Sequence, residues 1–351
     1  MLKLKNYIEL NPKEHISKGE IVRQVTMADL EPFSRDIKKC GYVKYKSGTK
    51  FRNGDTLLAR ITPCLENGKT SFVNFLKQNE VAVGSTEFYV LRAIEGKMDP
   101  NYLYYLSISK KFRKSLIKSM TGTSGRQRAT KEAVLDYDSN IPNIDNQKTI
   151  SHKLSLIDDM ISVNNQINDN LLELAKAVFN KNVNSCSKTL LSNYFLPKRG
   201  KNLVKKNVIP GAIPVIAGGL IPAAFHNKSN TMAPVITISA SGANAGYVQI
   251  WGIRVWSSDS SFIDESVSNN IYFWYLLLKK YQKQIYESQT GSAQPHIYPK
   301  NIGNLLIPVV SDETRLNINE KVKPIFNKIF KNKHENNLLN NLKIILLEKY
   351  F

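Results

Sequence analysis

Asn101-Tyr102-Leu103-Tyr104-Tyr105-Leu106 returns 169 positions later as Asn270-Ile271-Tyr272-Phe273-Trp274-Tyr275. The same offset continues without a gap, pairing Ile108 with Leu277, Lys110 with Lys279, Phe112 with Tyr281, Leu116 with Ile285, and Thr121-Gly122 with Thr290-Gly291. Each copy reads as an aromatic-rich amphipathic helix closed by a Thr-Gly turn, after which a short loop leads to Ile141-Pro142 or to Ile307-Pro308. One dipeptide can recur by chance, but a register that keeps apolar, cationic and turn residues in step marks a duplication.

A second register, offset by 168, pairs Ile150 with Ile318, Leu154 with Val322, Ile157 with Ile325, Ile161 with Ile329, Asn164 with Asn332, Asn168 with Asn336 and Leu171 with Leu339. These positions step by four and three, the seam of a coiled coil rather than the wider stripe of a surface helix. The first copy continues to Ala175 and Val178, and the second lapses at Lys343 before Leu346. Two such helices in one chain, with a whole domain between them, satisfy each other if they pack antiparallel. The expected fold class is therefore α+β: two similar mixed α/β domains, residues 1–145 and 181–310, separated by two long antiparallel coiled-coil helices, 146–180 and 311–351, in a pseudo-two-fold internal repeat.

Asn164, Asn168, Asn332 and Asn336 fall on that seam. Amides in a seam are costly unless they bond one another, in which case they set the register of the helix pair. The same amides would cost nothing if they faced water or another subunit. Short strands precede the aromatic helix in each domain: 56–61, 70–73 and 87–91 in the first, and 235–239 and 247–250 flanking the turn 241–246 in the second.

The net charge of +20 on 351 residues is unevenly placed. It is +9 over 1–145, −1 over 146–180, +9 over 181–310 and +3 over 311–351. Two equally basic blocks on less charged connectors suggest two anion-binding units, with nucleic acid the leading class. Cys40, Cys64 and Cys186 have no CxxC spacing, so neither a disulfide framework nor a zinc site is encoded. The N-terminal residues develop no signal-peptide core, and Ile271–Leu278 is too short to span a bilayer, which predicts a soluble cytoplasmic protein away from membranes.

Catalytic constellations are absent from the sequence. Gly68-Lys69-Thr70 ends like a phosphate-binding loop, but Pro63 stands where that loop needs its first glycine. There is no GxSxG, no HExxH, no Asn-Pro-Pro-aromatic segment, and the histidines at 15, 152, 226, 296 and 334 lack metal spacing. Residues 181–310 hold only Asp259, Asp264, Glu265 and Glu287 as acids, too few for a two-metal nuclease site built twice. The expectation is a non-catalytic chain with no cofactor and no metal of its own.

Cationic and polar loops remain, suited to phosphates for affinity and base edges for sequence. In the first block the candidates are Lys44, Lys46, Lys50 and Arg52, and the loop 121–128 with Arg126, Gln127 and Arg128. Arginine can take guanine, and glutamine adenine, through two hydrogen bonds each. In the second block they are Asn244 of the turn 241–246, and Gln294 and His296 of the loop 290–296. That loop puts a different polar set in the same place, as readers of two different half-sites would need. Each of these residues would equally suit an ordinary solvated turn.

In its duplicated order the chain resembles the specificity subunit of a Type I restriction-modification system. The resemblance covers essentially the whole sequence and rests on the spacer pattern from Gln147-Lys148-Thr149-Ile150 to Leu172-Glu173-Leu174-Ala175, on Phe51-Arg52-Asn53-Gly54-Asp55-Thr56-Leu57-Leu58-Ala59-Arg60, and on Val255-Trp256-Ser257-Ser258-Asp259-Ser260. It implies two target-recognition domains that read the halves of a bipartite target in double-stranded DNA. It also implies assembly with DNA adenine methyltransferase (modification) subunits, two of them, and with a restriction/translocase subunit. S-adenosylmethionine, ATP and Mg would then serve those partners and not this chain. The modest length also fits specificity subunits of fused restriction-methylation (Type IIB-like) enzymes or of methylation-only systems. Two other classes stand beside it: a coiled-coil scaffold that binds no DNA, and a nuclease that cleaves alone with divalent metal.

Overall fold

The computed structural model describes residues 2–183, 187–291 and 294–351, so Cys186, Ser292 and Ala293 lie outside the described residues. Packing divides the chain into two compact units, Met1–Val163 with Asn336–Phe351, and Asn164–Glu335. The first is assembled from both ends of the sequence, because the last helix returns to pack against it.

In the first unit the strands are β1 (Leu2–Lys3), β2 (Ile8–Leu10), β3 (Ile21–Val25), β4 (Gly41–Lys44), β5 (Thr49–Phe51), β6 (Thr56–Ala59), β7 (Thr70–Phe72), β8 (Ala82–Gly84), β9 (Phe88–Ala93) and β10 (Asp138–Ser139). They form two four-stranded sheets, ordered β2-β9-β6-β7 and β4-β3-β8-β5, and the small pair β1-β10. β6 is buried along its whole length, as its apolar run without alternation requires. The helices are α1 (Pro100–Ile108), α2 (Lys110–Lys118), α3 (Lys131–Leu135) and α4 (Ile144–Asn182). Asp99 caps α1 by accepting from the Tyr102 N–H at 2.8 Å, with Pro100 in the first turn.

The second unit repeats this plan. Its strands are β11 (Lys188–Leu190), β12 (Lys198–Arg199), β13 (Pro210–Ile216), β14 (Ala224–His226), β15 (Val235–Ser239), β16 (Val248–Trp251), β17 (Trp256–Ser257), β18 (Ser260–Ile263) and β19 (Leu306–Pro308). The sheet β12-β18-β15-β16 matches β2-β9-β6-β7, and β14-β13-β17 matches part of the other. In both units the second sheet contains a parallel pair, β3 with β8 and β13 with β17. The helices are α5 (Ile271–Lys280), α6 (Gln282–Glu287), α7 (Pro299–Gly303) and α8 (Asp312–Tyr350).

The aromatic segment differs from its sequence reading in two ways. It is two helices and not one, broken at Ser109, whose backbone is extended, and at Tyr281. The first of each pair is also buried all round rather than amphipathic: Tyr102–Ile108 and Ile271–Leu278 have no exposed face. The reason is their place in the middle layer. Tyr104, Tyr105 and Ile108 pack on Phe72 of the sheet on one side and on Leu154, Leu346 and Leu347 of the long helices on the other. In the second unit Phe273 lies 5.3 Å from Phe179, and Tyr272 stacks at 5.0 Å on Phe326. In the first unit the break lets α2 turn Lys110, Lys111, Lys114 and Lys118 toward water.

Within each unit α4 and α8 run antiparallel. In the first, Ile150 and Leu154 of α4 share a cluster with Leu346, Leu347 and Phe351. One layer on, the ammonium of Lys343 donates to Asp158 at 2.7 Å, both side chains 7% exposed, and the Tyr105 hydroxyl donates to the other oxygen at 2.8 Å. The lapse at Lys343 is therefore a buried ion pair inside the seam. In the second unit Ala175 and Phe179 of α4 meet Ile318, Val322, Phe326 and Ile329 of α8. Pro324 lacks an N–H, yet α8 tolerates it because it sits on the exposed face, where water can take the released carbonyl.

Arg35 ties the first domain to its helix pair, donating to Asp36, to Asp159 at 2.6 Å and to the Ser155 carbonyl. Gln147 does the same at the start of α4, accepting from the Asp99 N–H and donating to the carbonyls of Lys97 and Pro142. In the second unit Asn319 of α8 accepts from the Tyr272 N–H at 3.1 Å.

Candidate nucleic-acid interface

The loop 121–128 closes on itself as a tight ladder: the Thr121 N–H donates to the Arg128 carbonyl at 3.0 Å, and the Arg128 N–H to the Thr121 carbonyl at 2.9 Å. Gly122, at φ +123°, supplies a backbone conformation that side-chain-bearing residues rarely adopt. The closed loop then docks on the end of β6, through the Thr62 N–H to the Gln127 carbonyl at 2.9 Å and the Ala129 N–H to the Arg60 carbonyl at 2.8 Å. Its tip leaves Arg126 exposed and Gln127 half-buried.

Arg128, half-exposed, turns toward Glu87. Its guanidinium grips both oxygens of Glu87, at 2.7 and 2.9 Å, and Arg60 Nε donates to the same carboxylate at 3.2 Å. These charge-assisted bonds, that of Arg128 above all, hold Glu87 below the usual carboxylate range. The Arg60 guanidinium also lies 5.3 Å over the ring of Tyr89, whose hydroxyl donates to the Ala129 carbonyl at 2.8 Å. Arg128 thus braces the loop, a role its position in the sequence did not distinguish from base reading.

The second unit builds the same object. Thr290 and His296 exchange backbone hydrogen bonds at 2.9 and 2.8 Å, Gly291 has φ +93°, and the Ile297 N–H donates to the Ala240 carbonyl at 2.9 Å. The Gly242 N–H reaches the Pro295 carbonyl at 3.0 Å, which brings the turn holding Asn244 against the loop holding Gln294 and His296. Gln294 is exposed, Asn244 and His296 are half-buried, and the His296 ring stacks on Tyr298 with centroids 6.3 Å apart. Asp259 accepts from the Ser241 hydroxyl and pairs with Arg199 at 2.7 Å.

The remaining cationic candidates stand on the other sheet of the first unit. Lys44 ends β4, where it faces Ile21, and Lys46 follows it, both exposed. Lys50, on β5, donates to the Glu14 carbonyl at 2.8 Å and lies 5.3 Å over the Tyr45 ring. Arg52 is exposed, 3.8 Å from Glu14. The structure therefore gathers Arg126, Gln127 and Arg128 into one loop and sets Lys44, Lys46, Lys50 and Arg52 apart from it.

On the helix pair, Asn332 is fully buried and its amide donates to the Asn168 oxygen at 2.9 Å. Asn336 is buried and Asn164 half-buried. Among the described residues no group of three or more His, Cys, Asp or Glu could hold a metal ion, and no helix is long and apolar enough to cross a membrane.

Sequence reasoning missed Arg60, Glu87, Arg199, Ser241 and Asp259. A signal existed, since an acid stands immediately before a strand in both copies, Glu87 before Phe88 and Asp259 before Ser260. Their offset is 172 rather than 169, because the connection to the aromatic helix differs in length, and a gap-free register passes over them.

A family model described as Type I restriction modification DNA specificity domain matches residues 4–173 and 196–341. The specificity subunit of the Type I restriction enzyme EcoAI of Escherichia coli is 36% identical over 128 residues, 34% of this chain and 21% of that one. The EcoEI specificity subunit, also of Escherichia coli, is 39% identical over 104 residues, 29% and 17% of the two chains. The chain thus spans about a fifth of the length of these curated relatives. A crystal structure of the Type-I restriction-modification system S subunit from M. genitalium superposes over 100% of this chain and 95% of its own, with a TM-score of 0.58 at 18% identity, a likeness of fold.

Proposed function

The chain belongs to the Type I restriction modification DNA specificity family, and from that premise we propose that it reads a bipartite sequence in double-stranded DNA, one half-site per domain, without catalysing any reaction itself. The observation that carries this reading is the paired loop. The same ladder, glycine and docking bonds recur in both units, while the side chains presented differ: Arg126 and Gln127 in one, Asn244, Gln294 and His296 in the other. A shared scaffold with unlike polar tips is what two readers of different base sequences require, since base edges are told apart by the pattern of donors and acceptors set against them. Net charge of +9 in each block supplies affinity for phosphate that is independent of sequence.

In this reading methyl transfer and cleavage belong to other polypeptides: two DNA adenine methyltransferase subunits and a restriction/translocase subunit, which bind S-adenosylmethionine, ATP and Mg. The site of action is the cytoplasm, where the DNA is. The chain co-expressed with a methyltransferase of its own system is expected to methylate adenines only within one split motif, as mapped genome-wide. Purified alone, it is expected to retard duplexes carrying that motif and to cleave none. Site-independent retardation, or divalent-metal-dependent cleavage by the isolated chain, would overturn the proposal.

A further inference from the structure

Glu87 and Asp259 occupy one structural position in two domains. Ala59 of β6 faces Phe88, as Ser239 of β15 faces Ser260, so each acid immediately precedes the strand beside the loop-bearing one. The Arg60 N–H donates to the Glu87 carbonyl at 3.0 Å and the Ala240 N–H to the Asp259 carbonyl at 3.1 Å. The carbonyls of Arg60 and Ala240 in turn receive the N–H groups of Ala129 and Ile297, each just past the end of its loop. Each acid is thus two backbone hydrogen bonds, through Arg60 or Ala240, from the base of its loop.

A carboxylate in a domain built to meet a polyanion opposes that task by Coulomb repulsion, unless it does something with the cations around it. Here each one takes an arginine and a group next to the loop. Glu87 holds Arg128, inside the loop, together with Arg60. Asp259 holds Arg199 together with the hydroxyl of Ser241, the residue whose backbone bridges His296. We propose that Glu87 and Asp259 are equivalent positioning residues, each fixing one loop in the shape that meets its half-site, an inference that rests on the DNA-reading function proposed above. Arg128 then serves as a strut and leaves reading to Arg126 and Gln127 at the tip. Because the acid is shared and its partners are not, one scaffold carries two different readers.

The test uses the full chain in complex with its methyltransferase partner and duplexes selected from a random library. The half-site of the first unit is identified as the one that changes when residues 1–145 are exchanged. Glu87→Gln keeps the size of the side chain and removes its charge. It is expected to lower base discrimination in the first half-site by on the order of tenfold and to leave the second unchanged. Asp259→Asn does the reverse, and Glu87→Asp, which restores the charge, recovers part of the first half-site's discrimination. Loss of folding in the first unit is told apart by the urea midpoint of the Glu87→Gln chain, which is expected to match that of the wild type. Intact discrimination in Glu87→Gln, or equal blurring of both half-sites, overturns the proposal while the wild-type motif stands. If the wild-type complex enriches no split motif, the DNA-reading premise itself falls, and this inference with it.

Discussion

Glu87 keeps its charge in a basic neighbourhood because the fork of Arg128 and the Nε of Arg60 meet it there, and that sets how the loop responds to acid. Its pKa in the fold lies below the ordinary 4.5, so its contribution is fully present above that value and is lost as pH falls through the depressed one. Discrimination at the first half-site is therefore expected to stay level from neutrality into the mildly acidic range and to fail only below the ordinary carboxylate range. A half-site selection repeated across pH checks this, and a decline already near pH 6, roughly the range where histidine titrates, would place the control elsewhere. Arg126 stands at the exposed tip, and Arg126→Ala is expected to cost about 1–3 kcal/mol at one position of the motif, measured by competition between duplexes differing at single base pairs. Even weakening across all sequences would assign that side chain to phosphate. The loop itself was legible as Thr-Gly followed by basic and polar residues. What Arg128 does was not, because its partner Glu87 lies 41 residues away and nothing local records the pairing.

At the scale of the helix, the step of four and three from Ile150 to Val178 already said which face is buried, since a seam repeats at the period of the helix that carries it. Lys343 broke that pattern, and only packing shows that Asp158 answers it. Lys343→Ala would strand the Asp158 carboxylate in the core and is expected to cost about 3–5 kcal/mol. Replacing Asp158, Lys343 and Tyr105 together by leucine, methionine and phenylalanine is expected to cost nothing, or to stabilise by about 1–4 kcal/mol, as apolar substitutes for buried ion pairs often do. Urea midpoints at unchanged slope measure both. Alanine at Asn168, at Asn332 and at both should show a coupling of about 0.5–1.5 kcal/mol, the net worth of one buried amide bond; strict additivity would mean that the 2.9 Å contact does not hold in solution. The break at Ser109 was not legible, because the run 100–118 has helical character on both sides of it. It is the sandwich of α1 between sheet and helix pair that decides where the chain must turn out.

For the molecule as a whole the expectation is modularity. Exchanging residues 1–145 for another domain of the same family should change one half of the methylated motif and leave the other, as read by methylation mapping, and a change in both halves would refute independent reading. Specific binding should fall steeply with salt, by about 10³–10⁵ between 50 and 200 mM if six to ten phosphates are contacted. A flat salt response would remove the positive charge from the account. The sequence alone determined that one module and one rod are used twice, with the charge in the modules and the seam in the rods. Those properties are periodic or additive along the chain, so they can be counted without coordinates. Tertiary structure alone decided that the first compact unit borrows its last helix from the far end of the chain, that an interrupted seam closes through an ion pair, and that an acid braces each loop. Each of these is a contact between residues distant in sequence, and its existence depends on side-chain geometry that no local pattern encodes.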